Sequence, residues 1–137
     1  MTSAAWELQK AIYSQLRADT DLRSLISNPV RCYDEVPERE QFPYIVIDEP
    51  STLQWDTTGD YGKEHSTLIH VWSDYEGKKE LNLVMDAIER SLREFSPSLT
   101  NHNVVNFRLQ MTDRLKESDE QVRHGVMQFR VVTEETA

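Results

Sequence analysis

The chain has 137 residues, the size of one ordinary domain with a single modest core, so residues 1–137 are expected to fold as one unit. Its 24 acidic residues against 15 basic ones give a formal net charge of −9, and no basic run exceeds Lys78-Lys79, which disfavours a tightly held polyanion such as nucleic acid unless the basic residues gather on one face. The composition is polar, 38 % hydrophobic and 28 % charged, and no segment nears the ~20 apolar residues of a membrane span. The opening "MTSAAWELQKAIYSQL" carries Glu7 and no signal-like apolar run, so a soluble product made in the cytoplasm is expected. The single Cys32 can form neither an internal disulfide nor a zinc motif and reads as a small buried hydrophobe.

In chain order, Thr2 or Ser3 can cap a first helix over about residues 3–18, where Ala5, Leu8, Ile12 and Leu16 recur at three- and four-residue steps. Asp19 or Thr20 can cap a second, shorter turn carrying Leu22, Leu25 and Ile26, stopped by Asn28-Pro29. From Val30 the pattern changes: "VRCY" and "YIVIDEP" predict two strands joined by a proline-punctuated loop. The segment "STLQWDTTGDYGKEHS" is rich in turn residues and lies between residues 44–47 and 68–72, which predicts a long protruding β-hairpin with a mobile tip near residues 56–63. After Ser73, residues Leu81, Val84, Met85, Ile88, Leu92 and Phe95 fall on one stripe of a main helix that Pro97 ends. Alternation in "VVNFRLQMT" and "VMQFRVVTEE" predicts a second hairpin around "DRLKESDEQ". The outline is an α+β fold: a mostly antiparallel sheet of four to five strands with helices packed on one face.

Chemistry is harder to find. His65 and His70 sit five apart on a strand, where side chains alternate, so they point to opposite faces and cannot share an ion; His102 and His124 supply no ligand spacing either. No Gly-x-Ser-x-Gly elbow is present, and Gly59, Gly62, Gly77 and Gly125 form no phosphate-binding loop. Adjacent carboxylates such as Asp34-Glu35, Asp48-Glu49 and Glu134-Glu135 diverge on strands and read as solvated charge. Trp6 and Trp72 read as core or interface anchors, and Trp55, near a polar loop, as an interface anchor. No catalytic, cofactor or metal site is expected.

Four stretches do carry a resemblance: "LQKAIYSQLRAD", "YDEVPEREQFPYIVI", "EHSTLIHVWSDYEGKKELNLVMDAI" and "RHGVMQFRVVTE", in order from Leu8 to Glu134. Together they resemble the tail-completion, or tail-terminator, proteins of long-tailed bacteriophages and phage-derived gene transfer agents. The distinctive parts are Phe42-Pro43-Tyr44, the alternating strand from Glu64 to Ser73, and Arg123-His124-Gly125. The resemblance implies a non-enzymatic virion protein, located where the tail meets the head, that caps the head-proximal end of the tail tube. Such a protein would act as a six-fold ring of itself, end tube polymerisation and offer a docking surface to head-tail connector proteins. DNA would meet it only in passage through the lumen, and the histidine strand would be scaffold. A head-closure or other minor neck component is the alternative, and a small hydrolase using His65, His70 or His124 the distant one.

Ring closure needs two different patches per subunit, for which strand edges and hairpins are natural candidates. The expected partner-binding residues lie at the first hairpin's tip: Trp55, Asp56, Thr57, Thr58, Asp60, Tyr61 and Lys63. A net-acidic ring would also let phosphates slide past its wall.

Overall fold

The computed structural model describes residues 3–56, 61–116 and 121–136. Ser3 opens the first helix, α1 (Ala4–Ala18), its hydroxyl accepting from the Trp6 amide, one of the donors a helix start leaves unpaired. The stripe α1 buries is Ala4, Leu8, Ile12 and Leu16, because four-residue steps back from Leu8 reach Ala4 rather than the expected Ala5. Asp19 caps α2 (Thr20–Leu25) by accepting from the Leu22 amide.

Six strands follow, one more than the upper expectation: β1 (Cys32–Tyr33), β2 (Tyr44–Ile47), β3 (Ser51–Gln54), β4 (Gly62–Ser73), β5 (His102–Lys116) and β6 (Arg123–Glu135), with α3 (Lys79–Leu92) between β4 and β5. They form one sheet in the order β1-β2-β4-β6-β5, and β3 lies beside β4 in line after β2. The extra strand is β3, which buries neither face and so lacks the alternation that marks a strand. Register reveals it: Tyr44–Ile47 pair with residues 69–72 and Ser51–Gln54 with residues 63–66, so both arms of the first hairpin are longer than their apolar parts. β1 and β2 run parallel, and every other pair is antiparallel. The second hairpin also extends further than its composition suggests: Asp113, Arg114, Leu115 and Lys116, expected in the connection, pair with residues 123–126.

Alternation along β4 sends His65, Thr67, Ile69, Val71 and Ser73 under the helices and Glu64, Ser66, Leu68, His70 and Trp72 to the opposite face. The α3 stripe of Leu81, Val84, Met85, Ile88 and Leu92 packs on Ile69, Val71, Met127, Phe129 and Val131, joined by Leu8, Ile12 and Leu16 of α1. Burying each such side chain contributes about 1.5–3 kcal/mol. Phe95, past the helix end, meets Phe107 edge-on at 5.5 Å and closes this core. Gly125 lets α3 sit close to the sheet, since a Cβ there would lie 2.5 Å from the Met85 sulfur.

Candidate assembly surfaces

The opposite faces expected for His65 and His70 are what the strand delivers. His65 is fully buried and holds three strands together: Nδ1 lies 2.9 Å from the Thr52 hydroxyl on β3, and Nε2 lies 2.9 Å from the Thr133 hydroxyl on β6. Burial, reinforced by His102 and Lys63, pushes its imidazole down to about 4, so it sits in the fold as a neutral ring. His65 therefore fastens the short strand β3, which has no buried side chain of its own.

On the other face the sheet builds a row that spacing along the sequence does not show. Asp48 Oδ2 lies 2.7 Å from His70 Nε2, and His70 Nδ1 lies 2.7 Å from His124 Nε2 on β6. The carboxylate requires His70 Nε2 to donate. His124 stacks on Trp72 at 3.8 Å with planes 7° apart, and Trp72 stacks on Tyr44, which meets Phe42 and Tyr33. The three polar groups are hydrogen-bonded in line, each contact pairing one ring N–H with one acceptor. Among the described residues no His, Cys, Asp and Glu group could hold a metal ion. The strand register places Trp72 opposite His124, fifty-two positions on, and only that register exposes the pairing.

The sheet separates His65 from His70 and His124, so the three histidines share no common site. Grooves lie against the sheet, two of them beside Cys32 and Asp48 respectively. One of about 460 Å³ lies between α1 and β1, lined by Trp6, Tyr13, Cys32, Tyr33 and Ile47. Its Cys32 is buried and its thiol is pushed up to about 12, far from a nucleophilic thiolate. The other, about 430 Å³, lies on the outer face among Asp48, Ser66, Leu68, Met111 and Val126.

Of the residues expected at the hairpin tip, Thr57, Thr58 and Asp60 lie outside the described residues. Trp55 is 37 % exposed and Tyr61 is 70 % exposed; Asp56 accepts from the Gly62 amide at 3.2 Å, and Lys63 stands in β4 opposite Gln54. The Trp55 amide donates to the Gly62 carbonyl at 2.9 Å, and Trp55 lies so close over Gly62 that a Cβ there would be 2.1 Å from the Trp55 carbonyl oxygen. Two large aromatics thus stand at the end of a hairpin fixed by backbone pairing. Apolar side chains held in place at little entropic cost are typical interface anchors.

Comparison with solved structures finds the same fold in phage-like particles. A chain of the virion of a native gene transfer agent particle superposes with a TM-score of 0.87 at 23 % identity, over 98 % of this chain and 99 % of that one. The gp17 protein of bacteriophage SPP1 superposes with a TM-score of 0.64 at 20 % identity, over 93 % of this chain and 89 % of that one. No curated protein sequence matches. The family model described as tail completion protein gp17 matches residues 10–134, nearly the whole domain, and the chain belongs to that family.

Proposed function

We propose that this protein caps the head-proximal end of a phage or gene transfer agent tail tube, ends tube polymerisation and provides the surface on which head-tail connector proteins dock. The observation that carries this reading is the family match from residue 10 to residue 134. The particle chain that shares its fold end to end supports placement in a virion. In this role the protein works as a ring, expected to be six-fold, around a lumen through which DNA passes. The net charge of −9 suits that passage, because a wall without clustered cations does not hold phosphates.

The hairpin end contacts the tail tube in this reading, with Trp55 and Tyr61 as anchors and Asp56 and Lys63 beside them. The Trp55→Ala/Tyr61→Ala double variant should keep its fold and lose tube capping. Capping at the normal level by that variant would remove the hairpin from the tube contact.

Electron microscopy of particles assembled without the gene tests the function itself. Overlong or ragged tails free of heads are expected. Tails of normal length beside unjoined heads would instead place the protein on the head side of the neck, as a head-closure component, and intact infectious particles would end the virion reading.

A further inference from the structure

The sheet is open at both ends. Among the described residues β5 is last in the strand order and has β6 as its one strand partner, so apart from the Leu99–His102 bridge one side of its 15 residues meets no strand. At the opposite flank, among the described residues, β3 pairs only with β4 and exposes all four of its residues, and the two-residue β1 covers only Ile45 and Val46. Open edges are where a sheet accepts another chain.

The two flanks differ in sign. β5 carries three cations, Arg108, Arg114 and Lys116, against one carboxylate, Asp113, a net of +2. Residues 32–56 carry seven carboxylates against one cation, Arg39, a net of −6. Arg108, Arg114 and Lys116 are exposed and meet no carboxylate among the described residues; Asp34, Glu35, Glu38 and Glu49 are exposed and meet no cation there. Each flank also exposes apolar side chains, Val105, Met111 and Leu115 on one and Leu53 on the other.

Register sets their heights. Arg114 is level with Gly125, Val71, Ile45 and Cys32, and Arg108 is level with Arg130, Ser66 and Ser51. Asp34 follows Cys32 by two residues and Glu49 precedes Ser51 by two, so both carboxylates fall between the levels of the two arginines. Rotation about an axis parallel to the strands would bring cations of one copy to carboxylates of the next without a shift along that axis.

We propose that the β5 edge of one copy docks head to tail on the β1–β3 edge of a second copy, and that repetition of this contact closes the ring; the proposal rests on the capping function above. A contact between unlike patches with no rise along its axis generates a closed ring rather than a filament. A two-fold alternative would set β5 against β5 and face cations with cations.

Thiol cross-linking in assembled particles tests it. Carrying Glu49→Cys and Arg108→Cys together, the chain should give a ladder of multimers with a short bifunctional maleimide. Particles assembled from a mixture of the two single variants should stop at dimers, and each single variant alone should give none. Capped tails holding the normal amount of the double variant without links would overturn this interface and leave the capping function standing. Arg108→Cys linking to itself would also overturn it, in favour of a two-fold contact. Absence of the wild-type protein from the particles would end the capping function and this contact with it. As a second measurement, Arg108→Glu/Arg114→Glu should reduce capped tails at least about tenfold, and Asp34→Lys/Glu49→Lys added in the same chain should restore them. Reversal without loss, or loss without rescue in a chain that melts normally, would refute the pairing.

Discussion

Acidification offers a direct reading of how His65 holds the sheet. In the fold its imidazole takes a proton only near about 4, against 6.5 for the ordinary side chain, because burial penalises the charged ring. Above pH 6.5 the ring is neutral in folded and unfolded chains alike, and the stability linked to it is fully present. As the pH falls from 6.5 towards 4 the unfolded chain binds one proton more than the folded one, so stability falls by about 1.4 kcal/mol per pH unit, about 3 kcal/mol in all. Below about 4 this group adds no further slope. Glu7 and Glu40, held below the usual carboxylate value of 4.5 by Lys10 and Tyr33 respectively, weaken the fold only under that value, so they do not overlap the His65 effect between 4.5 and 6.5. The assay is urea unfolding at about pH 7, 6 and 5 for the wild type and His65→Gln, with free energies extrapolated to water. The variant should be the less stable at pH 7, and its loss of stability on acidification should be shallower by about one proton's slope. Equal slopes would refute the claim that a neutral, buried His65 ties β3 to the sheet.

Other consequences are separately measurable. Gly62→Ala places a methyl group against the Trp55 carbonyl at 2.1 Å, so the backbone pair at the end of the first hairpin must shift; a loss of about 2 kcal/mol in chemical unfolding is expected. Phe129→Ala removes a fully buried ring that touches Phe107 and should cost about 3–5 kcal/mol, while Leu53→Ala, at a 68 % exposed site, should stay within about 0.5 kcal/mol. Cys32 should resist a maleimide in the native protein and react at the rate of unfolding; rapid labelling at neutral pH would contradict its burial and its raised thiol pKa.

Much of the architecture was legible before any coordinates. The helices α1 and α3 follow from apolar stripes at helical spacing, and β4 and β6 from alternation, because those elements each press one face on the core and the sequence must mark that face. Asp19 capping α2 and Ser3 capping α1 are local events between residues three apart and are equally readable. β3 and the last turn of β5 escaped this reading because their side chains are exposed, so nothing in their hydropathy separates an edge strand from a polar loop.

The candidate surfaces divide in the same way. The residues at the hairpin end stand out in the sequence, since an aromatic beside turn residues is a local signal. The absence of a nucleophile motif, and the opposite faces of His65 and His70, are also properties of spacing alone. Tertiary structure decided everything that depends on register: the partnership of Asp48 with His70 and His124, the stack of Trp72 on His124, and the alignment of β5 cations with carboxylates at the far flank. The physical reason is that periodicity fixes which way a side chain points within its own strand, whereas its neighbours are set by how far one strand slides along the next, and that slide is chosen by the whole core at once.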